Sequence, residues 1–375
     1  MPNRLQQLHD AGQSIWLDYI DRSMLADGDL GRRIRDEALT GMTSNPTIFE
    51  KALAEGEAYD EQLAAAKAGL GPWELFELVE VMDVQTACDQ FRPVYDATDA
   101  GDGYVSIEVS PGVANDPDAT IEEGRRLWQA VDRPNVMIKV PGTESGARAV
   151  RTLIADGVNV NVTLLFSVDA HRRVMEAYLD ALEQRAAAGQ PVDRVASVAS
   201  FFVSRVDNEV DKRLDALAAG LPEDRRAHAL ALRGKAAIAN AKMAYRAFQE
   251  TFAGPRWEAL AAGGAMVQRP LWASTSTKNP AYRDVLYVEQ LVGPHTVNTM
   301  PPATLDAFRD HGETARTVDA DVAAAERALA DLEALGISMH EVTDKLLTEG
   351  IASFQKSFDG LLGIIGKRME ALAVR

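Results

Sequence analysis

Short runs of apolar and β-branched residues alternate along this chain with longer stretches in which apolar positions recur at helical spacing among Ala, Leu, Glu and Arg. That alternation predicts a parallel α/β fold. The strand-like runs are Ser14 to Tyr19, Gly41 to Asn45, Tyr104 to Val109, Val136 to Pro141, Asn159 to Phe166, Arg194 to Ser200, Arg269 to Ser274 and Thr296 to Met300, eight in all. Helices are expected at about Gly28 to Ala38, Pro72 to Tyr95, Ile121 to Val131, Glu144 to Asp156, Val168 to Ala188, Arg205 to Thr251 and Ala281 to Leu286. Eight strands with intervening helices predict a (β/α)8 TIM barrel; an open doubly wound sheet would carry a glycine-rich dinucleotide turn, and no GxGxxG follows any of these runs.

A minimal barrel needs about 250 residues. This chain has 375, with the surplus in helical segments around 50 to 95 and 205 to 255 and in the tail. The tail reads as amphipathic helices such as Val318 to Leu335 and Ser338 to Ala373. We therefore expect residues 1–375 to form a single barrel domain, with about 314–375 as a C-terminal helical extension packed on it.

Charge narrows the function. There are 39 Lys plus Arg against 56 Asp plus Glu, a formal net charge of −17, which disfavours nonspecific attraction to nucleic acid or to an anionic membrane. An anionic substrate must find a local cationic pocket. The only cysteine, Cys88, excludes an intrachain disulfide framework, and neither an N-terminal signal segment nor an apolar stretch of spanning length is present. The expected compartment is reducing and cytoplasmic. Six histidines without His-x-x-x-His or Cys-x-x-Cys spacing give no support for a zinc site, while carboxylate-based magnesium sites stay open.

The most informative residue is Lys139, set in the apolar run Val136-Met137-Ile138-Lys139-Val140 before Pro141-Gly142. An apolar strand excludes an unpaired ammonium, so such a lysine is ion-paired to a neighbour, reaches out at the strand end, or is held as a neutral amine able to attack a carbonyl carbon. In a barrel of this kind the C-terminal strand ends form the active site. Asp18, Glu108, Lys139 and Thr163 all sit near such ends, and Glu108, Lys139 and Thr163 fall on consecutive strands about 4.8 Å apart. A nucleophilic amine, a carboxyl acid/base and groups that order a water are the parts of a lysine aldol cycle. A structural salt bridge from Lys139 to Glu108 or Asp18 would give the same charge pattern. Thr43 and Asn45 in Gly41-Met42-Thr43-Ser44-Asn45-Pro46 can either bind substrate hydroxyls or cap the next helix. Arg205 and Lys278, each beyond a hydroxyl-bearing strand end, make a candidate phosphate site.

These residues resemble the transaldolase family, specifically its longer bacterial branch. The segments that carry the resemblance are GMTSNPTIF (41 to 49), VSIEVSP (105 to 111), VMIKVPGT (136 to 143), NVNVTLLFS (159 to 167), ASFFVSRVD (199 to 207) and RPLWASTSTKN (269 to 279). The resemblance implies a class I aldolase-like barrel that transfers a dihydroxyacetone unit between sugar phosphates, with neither metal nor organic cofactor. It implies Lys139 as the Schiff-base lysine, Glu108 as acid/base through a water that Thr163 helps to hold, and Asp18 as the carboxylate taking the hydroxyl proton during carbon–carbon cleavage. Thr43, Asn45, Asn161 and Ser200 would orient the three-carbon unit, Phe202 would wall the pocket, and Arg205 would bind phosphate with Ser276 and Lys278. Lysine at 278 stands where the shorter pattern has arginine; it keeps the charge and loses the bidentate fork.

Two alternatives stay open at this point. A direct fructose 6-phosphate aldolase would share the barrel and the lysine, although a tyrosine acid/base would then be expected in place of Glu108. A noncatalytic sugar-phosphate-binding barrel would bind ligand without forming an imine. The expected partners are sugar phosphates and, for assembly, a homodimer. Phe354 and Phe358 in the tail point to a role for the C-terminal helices in shutting the barrel mouth against water.

Overall fold

The computed structural model describes residues 3–54, 58–65 and 69–373. Its centre is a closed barrel of eight parallel strands in sequence order: β1 (Gln13–Asp18), β2 (Leu39–Thr43), β3 (Tyr104–Glu108), β4 (Val136–Pro141), β5 (Val160–Leu165), β6 (Ser197–Phe202), β7 (Arg269–Ala273) and β8 (Thr296–Met300), with β8 closing on β1. The TIM-barrel expectation is met. Both faces of these strands are buried, which is why they read as near-continuous apolar runs instead of alternating ones. Local signals set the strand-to-helix turns. After β4, Thr143 caps the helix Glu144–Ala155 by accepting from Gly146 N–H at 2.8 Å, and after β5 Ser167 caps Val168–Ala187 through Ala170 N–H.

Gly41 in β2 has a packing reason: a Cβ there would lie 2.4 Å from Trp16 Nε1, so only glycine leaves room for the indole. That indole helps close the N-terminal end of the barrel. Asp102 accepts from Trp16 Nε1 at 2.8 Å and from Ser14 Oγ, and pairs with Arg269 at 3.4 Å. Because Asp102 is buried and its loss would leave Trp16 Nε1 and the half-buried Arg269 without their acceptor, Asp102→Ala is expected to cost about 1–3 kcal/mol in urea unfolding. Imine chemistry at the opposite end should persist in the folded fraction.

Several expected boundaries move. β2 starts and ends two residues early because Asn45 leaves the sheet to cap the helix Pro46–Ala54, its Oδ1 taking Ile48 N–H at 3.1 Å. β6 begins at Ser197, after Arg194 has turned outward to Asp99, and continues to Phe202. The long helical stretch from Arg205 divides into Ser204–Ala218, Glu223–Leu230 and Ala236–Thr251, broken at Gly220-Leu221-Pro222 and at Gly234, whose φ is +71°. The helix expected at Ala281 to Leu286 is mostly turn, and Leu286–Glu289 is helical instead. Arg4–Asp10 and Pro302–His311 are additional helices. Parts of the expected helical segments at 55–57, 66–68 and 374–375 lie outside the described residues.

The tail forms Val322–Ala334 and the long helix Met339–Ala373. The long helix lies on Pro46–Ala54, where Thr47 Oγ1 donates to Ser357 Oγ at 2.9 Å. Further along, the Phe358 ring meets Trp73 and Phe76 edge-on at 4.9 and 5.9 Å between centroids. Near its start, Lys345 pairs with Glu209 at 2.9 Å. No helix among the described residues is long and apolar enough to cross a membrane.

Candidate active site

The strand register explains why the polar strand ends meet. Glu108 stands beside Lys139, Lys139 beside Asn161, and Asp18 beside Thr43, so each pair shares a face of the barrel wall. At the C-terminal mouth these positions open into a cavity of about 700 Å3. Asp18, Thr43, Asn45, Lys139, Thr163, Ser200, Phe202, Arg205, Ser276 and Lys278 all line it. Glu108 and Asn161 stand behind the lining, against Lys139 and Ser200 respectively.

Lys139 is 4% exposed and ion-paired: Nζ lies 2.9 Å from Glu108 Oε2 and donates to the Ser44 carbonyl at 2.8 Å. Of the sequence readings for this lysine, the structure shows the ion pair. The pair does not argue against nucleophilic use, because Glu108 is the adjacent base that can take the ammonium proton. Burial pushes the Glu108 carboxyl above its ordinary value, Lys139 opposes this, and Asp18 adds to it. Thr163 Oγ1 is buried with no hydrogen-bond partner among the described residues. Its strand carries a register shift between Val162 and Leu165, with Leu164 at φ +60°, an outlier for a bulky side chain. Such strain is tolerated where it aims a side chain into a site.

Asp18 receives Thr43 Oγ1 at 2.8 Å, and that hydroxyl also meets Thr299 Oγ1 at 2.7 Å. Burial raises the Asp18 carboxyl, with Lys139, the Thr43 bond and Arg205 opposing in that order. A carboxylate held this way is a stronger proton acceptor than one in water. Ser200 Oγ donates to Asn161 Oδ1 at 2.6 Å while Asn161 Nδ2 donates to Ser106 Oγ at 3.0 Å. Asn161 is therefore committed within the wall and reaches the cavity through Ser200.

Arg205 makes no hydrogen bond or ion pair among the described residues, although its guanidinium stacks on the Phe202 ring at 5.1 Å. Burial pulls its pKa below the ordinary arginine value and Asp18 opposes this. A half-buried guanidinium that faces a cavity and is ion-paired to no carboxylate is an open anion site. Lys278 is exposed on the rim, beyond Ser276.

Sequence reasoning missed Lys51, Asn208 and Thr299, which also line the mouth. Thr299 was findable, since it is a polar residue at the end of β8 just as Thr43 is at the end of β2. Lys51 and Asn208 lie on helices beyond their strands, where charged and polar residues are unremarkable. Of the two tail aromatics, Phe354 reaches the mouth, whereas Phe358 packs against Trp73 and Phe76.

A family model described as Transaldolase/Fructose-6-phosphate aldolase matches residues 15–365. The chain is 50% identical over 373 residues to a protein named "Transaldolase" from Thermobifida fusca (strain YX), covering 99% of this chain and 100% of that one. It is 49% identical over 372 residues to "Transaldolase 1" from Streptomyces coelicolor, covering 99% and 96% of the two chains. It is also 46% identical over 376 residues to "Transaldolase 2" from Nostoc sp., covering 99% of each.

Proposed function

The chain belongs to the transaldolase/fructose-6-phosphate aldolase family, and from that premise we propose how the side chains at its barrel mouth share the work. The activity is that of a transaldolase: a dihydroxyacetone unit passes from sedoheptulose 7-phosphate to glyceraldehyde 3-phosphate, leaving erythrose 4-phosphate and fructose 6-phosphate, through a lysine Schiff base in the pentose phosphate pathway. The observation that carries the assignment of roles is the buried Lys139–Glu108 pair at a cavity whose outer cation, Arg205, is unspent on any carboxylate.

In this reading Glu108 takes a proton from the Lys139 ammonium, and the amine attacks the ketose carbonyl. Glu108 then protonates the departing hydroxyl, through a water that Thr163 helps to hold, and an iminium results. The iminium accepts the electron pair of the breaking carbon–carbon bond as Asp18 takes the proton of the neighbouring hydroxyl. Thr43, Asn45 and Ser200 orient the three-carbon unit, Asn161 holds Ser200, and Phe202 walls the pocket. The enamine left on Lys139 survives only if water is kept from protonating it. Phe354 on the tail helix supplies apolar surface at that point.

The reading of Arg205, with Ser276 and Lys278, as the phosphate site has a direct test. A guanidinium–phosphate hydrogen bond contributes about 1.5–3 kcal/mol, so Arg205→Ala should raise KM for fructose 6-phosphate by about 10- to 100-fold. Lys278→Ala should raise it less because that ammonium is exposed; an unchanged KM would remove Lys278 from the site. The full assignment is tested by following aldehyde release from fructose 6-phosphate with and without acceptor. Turnover that requires acceptor supports a protected enamine, whereas equal turnover without it would make the enzyme a plain aldolase. One barrel domain carrying the tail from about residue 314, a homodimer and a cytoplasmic location complete the proposal, supported by the tail's packing, by the prevalence of twofold assemblies and by the lone buried cysteine.

A further inference from the structure

Behind Glu108, on the side away from the mouth, lies a small cavity lined by Glu77, Glu80, Ser110, Glu123 and Phe358 as well as by Glu108 itself. Glu80 is 5% exposed and makes no hydrogen bond or ion pair among the described residues. A buried carboxyl without a partner is costly as an anion, so it keeps its proton. Its neighbours reinforce this. Glu77 precedes it by three residues on the helix Pro72–Ala97, Glu108 faces it from β3, and Glu123 faces it from the helix Pro117–Val131. Lys139 on β4 is the opposing charge, while Arg126 is drawn to Glu77 and Glu123, and Asp83, three residues on, is committed to Arg22 and Tyr59. Burial first, then Glu108, Glu123 and Glu77, hold Glu80 well above the ordinary carboxylate range.

We propose that Glu80 is a positioning residue for the proton steps of this enzyme, forming with Glu108 a carboxyl pair that shares one proton behind the Schiff-base lysine. The inference rests on the reading of Glu108 as the acid/base. In the resting site the Lys139 ammonium holds Glu108 as the carboxylate, and the pair's proton lies on Glu80. Between the ammonium and the neutral carbinolamine the nitrogen gives up two protons, one to the carbonyl oxygen and one to Glu108, so the carboxyl pair then holds two protons and no charge. Glu108 gives one of them to the departing hydroxyl, which leaves as water. The pair is left with the single proton on Glu80, and the iminium cation again faces the Glu108 carboxylate. Glu123, which accepts from Ser110 N–H and Oγ at 2.8 Å each, and the partly exposed Glu77 continue this path toward solvent. The path bypasses the mouth that substrate occupies.

The test compares Glu80→Gln and Glu80→Asp by the pH dependence of kcat for transfer between fructose 6-phosphate and erythrose 4-phosphate. A shared proton persists to higher pH than one on an isolated carboxyl, so Glu80→Gln should move the alkaline limb down by about one pH unit. KM should stay the same, and the aspartate variant should restore the limb. A glutamine profile that superimposes on the parent, or moves to higher pH, would overturn the inference. Equal losses for Gln and Asp at every pH would also overturn it by making the role one of packing alone. Borohydride trapping of Glu108→Gln separates the two ideas. Trapping at the parental rate would sink the Glu108 reading itself, whereas blocked trapping together with an unaltered Glu80→Gln profile would sink only the carboxyl pair.

Discussion

Replacing Lys139 with alanine is expected to lower transfer by at least about 10⁴-fold and to abolish borohydride-dependent labelling by fructose 6-phosphate. The size follows from what the residue supplies. No other amine is buried beside a carboxylate in the mouth among the described residues; Lys51 and Lys278 are exposed on its rim. The variant also leaves Glu108 buried without its cation, so about 3–5 kcal/mol of stability should go with the activity. Loss of fold and loss of chemistry must therefore be told apart. The double variant Lys139→Ala/Glu108→Gln removes both charges and should recover part of the stability while recovering no activity, because the buried pair is coupled and its members are not additive. In the parent, peptide mass analysis should place the reduced adduct on Lys139. An adduct on any other lysine, or catalysis surviving in Lys139→Ala, would remove this residue from the centre of the mechanism.

The sequence made Lys139 conspicuous because a lone charge in a fully buried strand violates the pattern of its neighbours. Glu108 in Val105-Ser106-Ile107-Glu108 and Asp18 in Ile15-Trp16-Leu17-Asp18 stand out for the same reason, and parallel register brings such violations together at one end of the barrel. Asn161 was less legible. Its place in β5 is plain, but its commitment to Ser106 and Ser200 depends on barrel curvature that no linear pattern records. The β2 boundary failed for a local reason, since Thr43-Ser44-Asn45 suits a strand end and a helix cap equally, and Pro46 decides in favour of the cap. The carboxyl cavity behind Glu108 was hidden altogether. Glu77, Glu80 and Glu123 look like ordinary polar positions on amphipathic helices until the helices close over β3 and the tail sets Phe358 against them.

Converting Asp18 to asparagine should separate the two halves of the chemistry, leaving imine formation intact and lowering carbon–carbon cleavage by about 10²- to 10⁴-fold, the range a positioned general base supplies. Asparagine keeps an oxygen to accept from Thr43 Oγ1, so the Asp18–Thr43–Thr299 chain can retain its geometry. What it loses is the ability to accept the substrate's hydroxyl proton. The pH dependence has a definite sign: the base form is required, burial raises the Asp18 carboxyl, and cleavage should therefore fall with decreasing pH at a value above that of an ordinary aspartate. Asp18→Asn should lack that acid limb. Mass analysis gives the most direct reading. Borohydride applied to the parent with fructose 6-phosphate should leave a three-carbon adduct on Lys139, formed after cleavage, whereas Asp18→Asn should leave the uncleaved six-carbon sugar phosphate on the same lysine. A three-carbon adduct formed at the parental rate in Asp18→Asn would show that another group takes the proton, and the role assigned to Asp18 would fall.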